Sequence, residues 1–209
     1  MSRRGRTLGA IVASVTALSG PAMWQEILRD YDKTRSGDAA EEIAWFKEQP
    51  SLREAIGTAV RAVKRDRKRY DHQYRIWRSA IPQAIAALLA LEGRIARVET
   101  FDELLHLITE QLRDIPGIGE LYYYDTAFRI GVYLGIYPTR VYLHAGTRAG
   151  ARKLQPPVDY RKDALEIGEL PSELRGRPPY VTENILCIYR DWFGGDAHQI
   201  RRNRRAGRC

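Results

Sequence analysis

The chain has 209 residues, 44% of them hydrophobic, and a formal net charge of +8, the size and makeup of one packed domain with tails. Its two cysteines, Cys187 and Cys209, exclude a disulfide framework and a cysteine-based metal site. No apolar run reaches the roughly 20 residues of a membrane-spanning helix. The charge is unevenly placed: residues 1–6 carry three arginines, residues 61–78 eight basic and two acidic groups, and residues 199–209 five arginines and no acid. Together these segments hold +14 and leave −6 elsewhere, as for patches that face a polyanion.

Along the chain, Met1 to Arg6 is basic and Leu8 to Leu18 is small and apolar, which imitates the start of a signal peptide. Ser14 and Thr16 weaken that apolar stretch, and Ser19-Gly20-Pro21-Ala22 is a loose cleavage site. The expectation is a mobile leader over residues 1–22 and a domain over 23–198, in a cytoplasmic, nucleoid-associated protein; secretion is the lesser alternative. Helical signals dominate the domain. Ser51-Leu52-Arg53-Glu54 and Thr100-Phe101-Asp102-Glu103 are capping boxes. Apolar stripes at near-helical spacing follow each of them, the first through Ile56, Val60 and Val63, the second through Leu104, Leu105, Ile108 and Leu112. Ile81-Pro82 opens a helix with a stripe of Ile85, Leu88, Leu89 and Ile95.

Leu121, Tyr124, Phe128 and Gly131 continue a helical period to Gly135, and Thr182 starts a last helix with Ile185, Leu186 and Tyr189. Tyr137 to Leu143 is a short extended piece, and Pro156-Pro157 and Pro178-Pro179 bracket a short helix near 160–168. Cys187 is expected to pack as a small hydrophobe and Cys209 to hang in solvent. The fold class is all-α, a bundle of seven or eight helices with basic N- and C-terminal tails.

Within it, Asp114-Ile115-Pro116-Gly117-Ile118-Gly119-Glu120-Leu121 separates two helical segments. The glycines allow a sharp turn, and the helix opening at Gly119 has amides without intrahelical partners and a positive dipole end. Such a place holds a phosphate-sized anion. Helix, Ile-Pro-Gly-Ile-Gly, helix resembles the helix-hairpin-helix motif over Leu104 to about Leu134. The resemblance implies that Pro116, Gly117, Ile118, Gly119 and Leu121 hold a DNA phosphate without reading sequence.

The chain is also similar to the helix-hairpin-helix DNA glycosylases, which are all-α enzymes. Their catalytic Asp falls on Tyr142, within Val141-Tyr142-Leu143-His144, and the lysine of bifunctional members falls on Leu121. Both catalytic groups are therefore absent, since a tyrosine of pKa about 10 is no carboxylate. Chemistry displaced from those positions has local candidates in Asp125, His144 and Arg148, as base, acid and phosphate clamp. The plainer alternative pairs Asp125 with Arg129 four residues on and leaves His144 structural.

In the basic run, Lys64, Arg65, Arg67, Lys68, Arg69, Arg75 and Arg78 are candidate phosphate contacts. Tyr70, Tyr74 and Trp77 lie at i, i+4 and i+7, so one packed helical stripe accounts for all three. The sequence has neither metal-ligand spacing nor a cofactor fingerprint. The leading expectation is a sequence-independent duplex DNA binder in DNA repair or processing, with no cofactor and no membrane. A glycosylase-like enzyme with a non-standard site and a basic RNA-binding protein are the alternatives.

Overall fold

The computed structural model describes residues 20–73 and 79–193. The leader, Tyr74, Arg75, Trp77, Arg78 and the arginine tail lie outside these residues. Among the described residues the protein is mostly helical, with nine α-helices and one two-stranded ribbon, and no helix is long and apolar enough to cross a membrane.

Helix α1 (Pro21–Thr34) starts at a proline, whose missing N–H costs nothing at that place. It buries Trp24, Ile27 and Tyr31 along one side. α2 (Ser36–Lys47) follows almost at once, and α3 (Leu52–Arg61) begins where the Ser51 hydroxyl accepts from the Glu54 amide. The expected helix across Ile81 to Ile95 is divided into α4 (Ala80–Leu89) and α5 (Glu92–Ile95). α6 (Phe101–Leu112) has both halves of the Thr100–Glu103 capping box. α7 (Glu120–Leu134) packs along it.

Strand β1 (Val141–Tyr142) pairs antiparallel with β2 (Ala164–Leu165), Val141 opposite Leu165. α8 (Ala145–Ala151) and α9 (Pro179–Ile188) complete the order.

Two apolar clusters form the interior. One gathers Ile56 and Val60 of α3, Leu88 of α4, Leu104 and Ile108 of α6 and Ile130 of α7. The other joins Trp24 and Ile27 of α1 to Val141, Leu165, Leu186 and Trp192. α7 is buried almost all round, from Tyr122 to Val132 with Asp125 the exception, as its apolar composition requires.

Three further expectations are corrected. Residues 160–168 contain β2 and a 3₁₀ turn at Ile167–Glu169 in place of a helix, because β1 takes this segment as its strand partner. The last helix starts at Pro179, three residues before Thr182. The basic run does not extend α3: after Arg61 the chain turns through Ala62 (φ 53°) and Arg67 (φ 66°) into a tight loop in which Val63 pairs with Arg69. Asp66 turns it by accepting from the Lys68 amide (3.0 Å), and successive cations there repel one another in a helix. Cys187 is buried as expected, and it is also disulfide-bonded.

α8 and α9 meet without space for another atom. A Cβ on Gly150 would lie 2.0 Å from the Leu186 carbonyl oxygen, and backbone gives way less readily than a side chain. Gly150→Ala is therefore expected to lower stability by about 1–3 kcal/mol in urea melts. Gly37→Ala, with nothing within 4 Å of the new atom, is the control expected to cost nothing.

Candidate nucleic-acid interface and adjoining cleft

The turn between α6 and α7 is closed by its own backbone. The Ile115 amide donates to the Leu112 carbonyl (3.0 Å) and the Ile118 amide to that of Ile115 (3.3 Å). Gly117 sits at φ 84°, in the left-handed region that glycine enters without strain. Ile115 and Ile118 are half-buried against the core, and the Tyr123 hydroxyl donates to the Ile118 carbonyl (3.3 Å). Pro116, Gly117 and Gly119 stay exposed and Leu121 is half-buried.

Gly119 caps α7, its carbonyl accepting from the Tyr122 and Tyr123 amides. The amides of Gly119, Glu120 and Leu121 thus belong to a helix start without intrahelical acceptors. A Cβ on Gly119 would meet nothing within 4 Å, so its bareness serves no packing inside the chain. Glu120 puts a carboxylate in the same first turn, which itself complements the dipole.

The basic loop is held from two sides. The Trp45 indole donates to the Val63 carbonyl (3.1 Å), and Arg65 pairs with Glu48 (2.6 Å) while lying over the Trp45 ring. From α7, the Tyr122 hydroxyl donates to the Val60 carbonyl (2.6 Å), just before the loop begins. Arg69 is near enough to act on that hydroxyl. Lys64, Arg65, Arg67 and Lys68 are exposed. Arg75 and Arg78 fall outside the described residues.

Beneath the loop runs a chain of polar groups. The Arg129 guanidinium, 1% exposed, donates to Glu42 (2.7 Å) and to the side-chain oxygen Oε1 of Gln73 (2.6 Å), and lies 4.0 Å from the centre of the Tyr70 ring. Gln73 in turn donates to Asp125 (2.7 Å), on whose Oδ2 the His72 imidazole also rests at 2.8 Å. The expected direct pair of Asp125 with Arg129 is thus bridged by Gln73. Burial opposes the charge on Asp125, but His72 and then Arg129 outweigh it and hold the carboxyl below its ordinary range.

Asp125 faces a small chamber of about 40 Å³ that Leu121, Tyr124, Phe128, Tyr180 and Glu183 also line. Glu42, His72 and Asn184 border both this chamber and an outer cleft of about 180 Å³. Trp45, Lys64 and Arg65 lie on the outer cleft.

The other two candidates are differently placed. His144 is sealed at 3% exposed, hydrogen-bonded to Glu183 and 2.7 Å from the Thr147 hydroxyl. Arg148 donates to the carbonyls of Leu143, Tyr160 and Lys162, and so holds the chain near the ribbon. Tyr142 donates to Asp102 within an aromatic cluster of Phe101 and Tyr124. His72, Gln73, Glu42 and Glu183 were not singled out from the sequence: they lie on segments far apart in the chain and no spacing links them. Among the described residues no group of three or more His, Cys, Asp or Glu could hold a metal ion. No family model, curated protein or solved structure matches the chain.

The sealed pair sets a pH dependence. Burial disfavours the charged His144, but Glu183 outweighs it and raises the imidazole above its ordinary value. The pair therefore stabilises the fold fully below the unfolded value of about 6.5. That contribution is lost as pH rises through the raised folded value. Urea midpoints are expected to fall as pH rises above about 6.5, and Glu183→Gln is expected to flatten that fall.

Proposed function

We propose that this protein binds duplex DNA through its sugar–phosphate backbone, without reading sequence, in DNA repair or processing. The turn at Pro116–Gly119 and Leu121 would hold one phosphate, while Lys64, Arg65, Arg67 and Lys68 would neutralise neighbouring ones. The observation that carries this reading is the Tyr122–Val60 hydrogen bond. It sets the first turn of α7 against the residue from which the basic loop springs, so amides and cations act together. The bare Cα of Gly119, which nothing in the chain needs to approach, supports the same reading: it leaves space for an outside group.

A second reading, a DNA glycosylase-like enzyme with a non-standard site, is favoured by one further observation. Asp125 lies on a chamber beside Leu121, directly behind the turn.

A salt titration of duplex DNA binding tests the first reading. The logarithm of affinity is expected to fall steeply with that of salt, and each alanine at Lys64, Arg67 or Lys68 to lower the slope by about 1. Gly119→Val introduces no clash inside the protein and is expected to weaken binding at least tenfold without changing the melting temperature. Glu120→Lys is expected to strengthen it. Unchanged affinity in Gly119→Val and Gly117→Val would rule out the turn as the phosphate site, and preference for RNA over duplex DNA would favour an RNA-binding protein.

A further inference from the structure

Behind the turn, the inner chamber is bordered by acceptors that the chain itself leaves open. At the roughly 10–15 Å³ that one water needs, its 40 Å³ takes one small polar group. Three carboxylates border it, Glu42, Asp125 and Glu183. Among the described residues, the hydrogen bonds of Asp125 all fall on Oδ2, at His72 and Gln73. Those of Glu183 all fall on Oε1, at His144 and Thr147. Oδ1 of Asp125 and Oε2 of Glu183 therefore remain for another donor.

Tyr124 lines the same chamber at 5% exposed, and its buried hydroxyl has no hydrogen-bond partner. Burial, and after it the charges of Glu183, Asp125 and Glu42, hold that hydroxyl well above its ordinary pKa, which sets it among the three carboxylates. A buried polar group left unpaired costs stability, and a bound group that completes it removes the cost.

The open atoms select the ligand. A carboxylate oxygen only accepts, whatever the charge on His72, so an anion finds nothing to bond to here. A primary ammonium is compact, positively charged and carries three donors, one for each open oxygen. A bare metal ion does not fit, since no group of three or more His, Cys, Asp or Glu among the described residues could hold one.

The outer cleft, about 180 Å³, extends the same site through Glu42, His72 and Asn184. Trp45 and Ile188 give it an apolar wall. Asp38 and Glu41 also border it, exposed, one turn apart on α2 and in no ion pair among the described residues. The cations on this cleft are engaged: Arg35 has a partner, Arg65 pairs with Glu48, and Lys64 lies over the Tyr70 ring (5.6 Å). Methylenes leaving the chamber would cross the apolar wall and end at a second pair of carboxylates.

We propose that the chamber and outer cleft bind a linear aliphatic diamine or polyamine. One ammonium donates to Asp125 Oδ1, Glu183 Oε2 and the Tyr124 hydroxyl, and the next lies against Asp38 and Glu41. The site adjoins the proposed DNA-binding face and does not depend on it.

Isothermal titration of the full chain at constant ionic strength, without DNA, tests this. The probes are 1,4-diaminobutane, 1,5-diaminopentane, spermidine, n-butylamine and tetramethylammonium chloride. At least one diamine or spermidine is expected to give saturable binding, with n-butylamine weaker by about threefold, the share of an exposed ion pair. Tetramethylammonium, which has no N–H, is expected to give none. Asp38→Asn with Glu41→Gln is expected to bring the diamines down to n-butylamine and leave n-butylamine unchanged.

Tyr124→Phe is expected to weaken every amine by about tenfold, as for loss of a hydrogen bond to a charged group. Its melting temperature without ligand is expected to hold or rise, because the hydroxyl it removes has no partner inside the chain. No saturable binding beyond that of tetramethylammonium, equal affinity for n-butylamine and the diamines, or unchanged affinity in Tyr124→Phe would overturn the proposal. Each of these failures would leave the DNA-binding reading standing, since no DNA enters the titration.

Discussion

A guanidinium buried in the middle of the molecule is the constraint on which the rest turns. Arg129 projects from the most enclosed helix, and at 1% exposed it has lost its water. Removing one partner from such a pair costs about 3–5 kcal/mol, because the remaining charge is stranded. Its three attachments, Glu42 on α2, Gln73 and the face of Tyr70, therefore have little freedom to move. They hold α2 and the segment from Tyr70 to Gln73 against α7. The basic loop and His72 both ride on that segment, so one buried cation positions the exposed cations above it and the His72–Asp125 pair beside it.

This arrangement joins two segments that the sequence keeps apart. The turn before α7 and the loop after α3 are separated by about fifty residues, yet Tyr122 ties the start of one to the start of the other. Immediately behind the turn, Leu121 and Asp125 open onto the chamber. A strand gripped at Gly119 would thus lie beside the cleft rather than remote from it. On the proposed reading Glu120 would moderate the grip, since it supplies negative charge where a phosphate would sit, and more of the affinity would then fall to Lys64, Arg67 and Lys68.

Much of the fold was legible because it is written locally. The capping boxes at Ser51 and Thr100, the stripe through Leu104, Ile108 and Leu112, and the stop at Gly135 depend on neighbours a few residues away. The 61–78 run misled because charge repulsion and the Asp66 turn override its helical spacing over the loop. The segment at 160–168 misled because β1 claims it, and pairing across more than twenty residues leaves no periodic trace. The site was half legible. Asp125 stood out by its place after the turn, but His72, Gln73, Glu42 and Glu183 acquire meaning only when α2, α7 and α9 converge. His144 carried the same residue type and proved to be sealed against Glu183.

The central claim is that the Pro116–Gly119 turn and the loop from Lys64 to Arg69 form one DNA-binding face. Amide hydrogen exchange on the full chain at low salt, with and without a saturating duplex, tests it most directly. Protection on binding is expected to concentrate at the amides of Gly117, Gly119, Glu120 and Leu121 and in the loop, and to vanish together as salt is raised. Protection confined to other surfaces, with both segments exchanging as fast as in the free protein, would contradict it.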